Sequence, residues 1–212
     1  RVFNAVVSYM AYIQKTVWPS GLVVLYPRPD GNISVAKTVI CGLVLLAITV
    51  CFLLFARRRK YLTVGWLWYL GTLVPVIGFV QVGSQSMADR YSYVPLTGLF
   101  IIVAWTAREI VLKWPRLKIT VTLAALGILA AVTVCTAVQL RYWQNSAALF
   151  ERALAVTKNN SIMYNNYGNI LKDLGKLDEA IELYNKALKL SPNDPCVYRN
   201  MAKAMTDKGQ AE

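Results

Sequence analysis

The sequence predicts an all-α protein: polytopic transmembrane helices followed by a solenoid of 34-residue helical repeats. Three observations lead there. Of 212 residues, 56% are apolar and only 16% charged, where an ordinary soluble domain carries roughly a quarter charged, and the mean hydropathy is +0.42. The charge is also unevenly spread. Residues 1–140 hold 13 Lys/Arg and 3 Asp/Glu, a net of +10, whereas residues 141–212 hold 10 and 8, a net of +2. Finally, the last third repeats its packing residues at a fixed interval. A single soluble globule is excluded, and the chain divides into a multi-spanning membrane region, 1–140, and a soluble helical region, 141–212.

Four segments are long and apolar enough to span a membrane, at about 20 residues each. They are roughly Ala36–Ala56, Tyr61–Val82, Tyr91–Ala107 and Ile119–Leu140. Arg57-Arg58-Arg59-Lys60 joins the first two, and Arg108, Lys113, Arg116 and Lys118 join the last two. Basic links of this kind mark the cytoplasmic side. That places Gly83–Arg90 outside, and the fourth span delivers everything after Arg141 to the extracytoplasmic side. The position of the basic runs assigns them to membrane orientation, so nucleic acid is not an expected partner.

The N-terminal stretch is less regular. Val2–Val17 is mostly apolar but carries Asn4, Ser8, Gln14 and Lys15, with Asn4 and Ser8 one helical turn apart. Trp18-Pro19-Ser20-Gly21 then interrupts it, and Tyr26-Pro27-Arg28-Pro29-Asp30-Gly31 closes it. Residues 2–25 read either as a helix with an inward polar face and a re-entrant turn, or as a fifth plain span ending at Trp18. Irregular backbone at membrane depth requires protein or a watery cavity around it. The second span is loosened by Gly65, Gly71, Pro75 and Gly78, residues that allow close packing and a kink. Gln81, Ser84 and Gln85 cluster at its outer end.

The repeat is the most specific signal. Ser161–Asp194 is 34 residues long, the tetratricopeptide (TPR) length. Tyr164, Tyr167, Gly168 and Leu171 fall where the first helix needs its packing set, and Gly175 sits at the turn. Ala180, Tyr184 and Ala187 supply the second helix, and Pro192 closes the repeat. The small residues are needed because the paired helices approach closely. Thirty-four residues upstream, Phe150, Ala153 and Leu154 make Arg141–Val156 the second helix of a preceding half-repeat. Thirty-four downstream, Tyr198, Ala202 and Gly209 open another. One repeat cannot bury its faces alone, so further repeats are expected after Glu212. The chain opens on Arg1 and reads as a piece of a longer polypeptide.

Chemistry-bearing residues are sparse. There is no histidine, and Cys41, Cys51, Cys135 and Cys196 show no CxxC spacing. Histidine metal sites, Ser-His-Asp triads and Cys-His pairs are therefore excluded, and no metal site is expected. The strongest constellation is the outside loop Ser84–Pro95. Asp89 and Arg90 are the only charges between Lys60 and Arg108. A guanidinium at the outer membrane surface can clamp a lipid phosphate bidentately. Tyr91 and Tyr93 can grip a head group or sugar, and Lys15 can add a second positive charge. The competing reading makes Asp89 a helix cap, Arg90 a snorkelling side chain and the tyrosines an aromatic belt. Asp30 reads as a turn residue, and Asn32 and Asn159 match the N-glycosylation pattern. No acidic pair is present.

The loop Ala88-Asp89-Arg90-Tyr91-Ser92-Tyr93-Val94-Pro95, the Lys15…Trp18-Pro19…Tyr26-Pro27 stretch and the repeats directly after the last span together resemble the transmembrane-and-TPR O-mannosyltransferase-like proteins. Bacterial relatives of these are named as TPR-domain membrane proteins. The resemblance implies a GT-C-type glycosyltransferase of a bacterial inner membrane or the endoplasmic reticulum. Its donor would be a sugar on polyprenyl or dolichyl phosphate, a membrane lipid, and its acceptor a protein hydroxyl. The acidic catalytic loop of such enzymes lies near their start and is absent here. No catalytic residue is carried over, and Arg90, Asp89 and Lys15 stand as donor-site contacts. The alternative is a non-enzymatic membrane-anchored scaffold whose repeats hold a protein or peptide.

Overall fold

A computed structural model describes residues 2–27, 34–77 and 86–211. The expectations for Asp30, Asn32, Gln81, Ser84, Gln85 and the end of the second span lie outside these residues. Those described form α-helices with no β-strand: α1 (Val2–Val17), α2 (Val35–Leu54), α3 (Lys60–Leu73), α4 (Tyr93–Lys113), α5 (Lys118–Leu140), α6 (Ser146–Val156), α7 (Ser161–Asp173), α8 (Leu177–Leu190) and α9 (Pro195–Ala211). They divide into two compact units, one holding residues 2–22, 34–77 and 86–138, the other residues 23–27 and 139–211. The protein is all-α, with apolar membrane-length helices and a TPR solenoid.

Among the described residues, three helical stretches are long and apolar enough to cross a membrane: Val35–Leu54, Asp89–Lys113 and Pro115–Trp143. The expected second span, Tyr61–Val82, runs past the described residues, and within them α3 has 14 residues. Pro75 has no N–H to continue the ladder, and around it the bonds tighten to Val74 N–H on Gly71 O (3.3 Å) and Val76 N–H on Leu73 O (3.0 Å), before Ile77 N–H returns to Leu73 O (2.9 Å). The third span is longer than expected: α4 runs through Arg108 and Glu109 to Lys113, leaving a link of only a few residues before α5.

In the first unit α3 is the hub. Trp66, Tyr69 and Leu73 are buried, although α2, α4 and α5 are the more continuously apolar helices. Burial in lipid follows packing and polar pairing rather than apolarity, since lipid solvates Leu and Ile well. Trp66 Nε1 donates to Thr49 Oγ1 of α2 (2.9 Å) and Trp68 Nε1 to Val94 O of α4 (2.9 Å). Tyr69 Oη donates to Tyr9 O (2.6 Å) while Tyr9 Oη donates to Leu70 O (2.8 Å). At the α3–α4 crossing Gly65 meets Gly98, where a Cβ on either would stand 2.4 or 2.2 Å from the other's carbonyl oxygen. In contrast, α5 buries none of its residues, and side chains such as Ile119 and Ile128 lie open. An apolar helix so exposed is stable against hydrocarbon, not water.

Helix α1 has 16 residues and ends where Pro19 cannot extend it. Ser20 N–H bonds Trp18 O (2.8 Å) and Gly21 takes φ 61°, a left-handed turn. Val6 lies beside Gly42, and further along both helices Ile13 and Val17 line a cavity together with Ala47 and Cys51, so α1 and α2 run in the same direction. The chain must therefore turn back after Val17 to reach the start of α2.

In the second unit the repeat is built as the spacing predicts. Leu171, Ala180, Tyr184 and Ala187 form its buried core with Val197 and Ala204, and Tyr164 and Tyr167 pack against it. A Cβ on Gly168 would fall 2.6 Å from the Tyr184 ring, which is why that position is glycine. Gly175 at φ 77° ends α7, with Lys176 N–H closing on Leu171 O (2.9 Å). Asn160 caps α7 through Met163 N–H (3.2 Å) and Asn145 caps α6 through Ala148 N–H (2.8 Å).

Four details of this half depart from the sequence reading. Pro192 is exposed, so it stops α8 rather than packing. The half-repeat helix begins at Ser146, not Arg141, because Arg141–Trp143 forms a 3₁₀ turn ahead of the Asn145 cap. Helix α9 continues through Gly209 to Ala211. Residues 23–26, read with the membrane region, instead lie in this unit: Val23 is buried with Ala153 and Met163, and Leu25 and Tyr26 pack on the same cluster.

Candidate functional site

The site region is the junction between α1 and the stretch leading into α4. Ala88 is extended (φ −146°, ψ 138°), and Asp89–Ser92 then forms a 3₁₀ turn before Tyr93 opens α4. The polar face of α1 holds this stretch in register. Asn4 Nδ2 donates to Ser86 O (3.2 Å), and Ser8 is buried. One turn further, Tyr12 Oη donates to Ala88 O (2.9 Å) and accepts from Ala88 N–H (3.2 Å). Both backbone groups of a fully buried residue are thus satisfied by one hydroxyl. Asn4, Ser8 and Tyr12 are spaced by four, so a single helical stripe grips the site stretch.

Four of the five predicted contact residues come together here. Asp89, Arg90 and Tyr91 all lie within electrostatic range of the Tyr12 hydroxyl, and Lys15 lies within range of Asp89. The Arg90 guanidinium is exposed and stands over the Tyr91 ring at 5.1 Å. Lys15 Nζ donates to Ser20 O (3.2 Å) and Gly21 O (3.3 Å), bracing the turn after α1. Tyr93 is 79% exposed. Ser92 is the N-cap of α4, with no side-chain bond there, and the Asp89 carbonyl accepts from Ser92 Oγ (2.7 Å).

Beneath the α1 end of this cluster lies an apolar cavity of about 560 Å³, walled by Ile13 and Val17 of α1, Phe52 of α2, Trp66 of α3 and Phe100 and Val103 of α4. The arrangement offers a cationic, aromatic rim beside an apolar recess, the shape an amphipathic phosphate-bearing lipid requires. Among the described residues no group of three metal-ligating side chains occurs. Sequence reasoning missed Tyr12, whose signal was its four-residue spacing from Ser8, and it missed the Tyr9–Tyr69 pair, for which the sequence carries no signal.

Comparison with known proteins bears first on the repeats. A family profile described as "TPR repeat" matches residues 168–209, and one described as "Tetratricopeptide repeat" matches residues 149–182. Among curated proteins, the chain is 31% identical over 110 residues to Protein O-mannosyl-transferase TMTC2 of Mus musculus, covering 51% of this chain and 12% of that protein. It is 29% identical to the Homo sapiens TMTC2, with the same coverage. It is 30% identical to Protein O-mannosyl-transferase Tmtc3 of Drosophila melanogaster, over 50% of this chain and 11% of that protein. The chain spans about an eighth of the length of these relatives. No solved structure matches.

Proposed function

We propose that this chain is part of a membrane glycosyltransferase that takes a sugar from a polyprenyl- or dolichyl-phosphate donor and places it on a protein hydroxyl. The similarity to protein O-mannosyl-transferases carries this reading. The cluster of Lys15, Asp89, Arg90 and Tyr91 beside an apolar recess supports it. In this reading Arg90 contacts the donor phosphate, Tyr91 and Tyr93 line its head group, and Lys15 supplies positive potential while holding the α1 turn. The basic links lie on the cytoplasmic side, the repeats lie outside, and they present the acceptor. The base that activates the acceptor hydroxyl belongs to a part of the protein outside this chain.

The experiment is binding of dolichyl phosphate to the full-length protein in detergent. Arg90→Ala is expected to lower affinity by about tenfold or more, the scale of one charge-assisted hydrogen bond. Unchanged binding removes Arg90 from the site.

A second reading, a membrane-anchored scaffold, is favoured by one observation. Asn165 of α7 and Asn200 of α9 are bonded across adjacent helices (Nδ2 to Oδ1, 3.0 Å), a row of amides of the kind that can pair with a peptide backbone. Peptide capture without dolichyl phosphate binding would select it.

A further inference from the structure

The opposite end of the membrane helices carries a feature that glycosyl transfer does not use. The two basic links, 50 residues apart in sequence, are brought together by an ion pair between Arg59 Nε and Glu109 Oε2 (2.9 Å). Beside that pair opens a cavity of about 440 Å³ lined by Arg59, Thr106, Glu109, Ile110, Lys113 and Trp114. A neighbouring recess shares Lys113 and Trp114 and adds Arg116. Residues 57–60 and 108–118 hold eight Lys/Arg and one Asp/Glu. Glu109 therefore fixes the position of Arg59 without neutralising the cluster.

We propose that this cavity, lined by Arg59, Lys113 and Trp114, together with the neighbouring recess that adds Arg116, is a head-group site for an anionic phospholipid. Its depth argues for a lipid. The apolar helix α2 ends at Leu54, α4 ends at Lys113 and α5 begins at Lys118, so the cavity stands where the hydrocarbon stops and lipid phosphates begin. Its walls match both parts of such a molecule. The cations face the phosphate, while Ile110, the exposed Leu112 and the half-exposed Trp114 offer surface to glycerol and the first methylenes. Lys113 Nζ lies 4.7 Å from the Trp114 ring centroid, which leaves its remaining N–H groups directed away from the ring. A basic excess alone would follow from membrane orientation, but orientation does not require an open recess to which Arg59 of one link and Lys113 of the other both contribute. The unbalanced charge selects an anionic over a zwitterionic head group, each Lys or Arg adding about 1 kcal/mol of attraction.

The test is native mass spectrometry on the delipidated full-length protein, titrated with phosphatidylglycerol, with phosphatidylcholine of the same acyl chains, and with inorganic phosphate. One phosphatidylglycerol is expected to be held about tenfold or more tightly than phosphatidylcholine. The double variant Lys113→Gln/Arg116→Gln is expected to abolish that preference. Arg57→Gln/Arg58→Gln removes the same charge outside the cavity and is expected to change binding by less than about twofold. Equal losses in both variants would mean diffuse attraction and overturn the site. Competition by millimolar inorganic phosphate would make it a free-anion site and overturn the lipid assignment. If the first variant fails to fold, Trp114→Ala reads the same question without altering charge: retained preference and affinity would overturn the proposal, and weakened binding would support it.

Discussion

Two glycines show how differently the two units of this chain pack. In the membrane unit Gly65 of α3 meets Gly98 of α4 backbone to backbone, with each carbonyl occupying the space of the other's missing Cβ. In the repeat unit Gly168 of α7 meets the Tyr184 ring of α8. Water drives the second contact, because burying an aromatic ring is itself favourable. Lipid gives no such reward, so the first contact depends on close fit and on the polar groups that proximity satisfies. The repeat therefore carries its packing code as a visible periodicity, and the membrane unit does not.

Alanine at each glycine should separate the two cases most widely. Gly65→Ala puts a methyl 2.4 Å from Gly98 O and 2.7 Å from Ile102 Cγ1. A helix backbone cannot step aside singly, so the pair must part, at a cost of about 3 kcal/mol, the upper end for overpacking. Gly168→Ala strikes a ring that can shift, and about 1–2 kcal/mol is expected. Hydrogen exchange on the full-length protein reads both. Protection should fall across α3 and α4 in the first variant and more mildly across α7 and α8 in the second. An equal or larger loss in the repeat would break the distinction.

Removing one hydroxyl sharpens the comparison at the next level. Tyr12→Phe strips the hydroxyl that Ala88 N–H donates to, while Ala88 O, fully buried, keeps its bond from Tyr91 N–H (3.0 Å). About 1–3 kcal/mol of local stability should be lost, the cost of leaving a buried donor unpaired. The 86–92 stretch should exchange faster, and affinity for dolichyl phosphate should fall with it. Tyr184→Phe frees only Asn169 Oδ1, a side-chain oxygen on a half-buried residue that water can reach, so less than about 1 kcal/mol is expected. Exchange in α7 and α8 should barely change.

The same contrast decides what could be read from the chain alone. The TPR core residues Leu171, Ala180, Tyr184 and Ala187 were legible because a fixed 34-residue interval aligned them. The caps Asn145 and Asn160 follow ordinary helix-start chemistry, and the long apolar helices α2, α4 and α5 follow from length and composition. The change in bonding after Leu73 is signalled by Pro75, while the apolar residues beyond it continue the pattern of a span. At the site, Asp89, Arg90 and Tyr91 stood out as rare charges and aromatics between apolar runs. What gathers them, the stripe of Asn4, Ser8 and Tyr12 on α1, was only half visible. A tyrosine in an apolar helix looks like an interfacial residue until its backbone partner 76 residues away is known. The docking of Val23 against Ala153 and Met163 had no local signal at all, because four apolar residues after a turn do not reveal a partner 130 residues downstream.

The smallest expected effect is one of pH and belongs to the repeat unit. Tyr167 Oη donates to the Glu151 carboxylate, linking α7 to α6. That bond, with a smaller contribution from burial, pushes the Tyr167 phenol from its ordinary 10.0 up to about 12. Burial does the same for Tyr184. A raised folded-state value means that the neutral phenol is favoured by folding. Its contribution is fully present below pH 10 and is lost as pH rises through about 12, when phenolate faces carboxylate. The repeat should therefore loosen between those limits, and Tyr167→Phe should flatten part of that slope while weakening α6–α7 slightly at neutral pH. Because the Tyr167 bond is exposed to solvent, the change is small. Exchange rates of α6 and α7 corrected for intrinsic pH dependence would show it, and an identical slope in wild type and Tyr167→Phe would place the alkaline sensitivity in the buried Tyr184 instead.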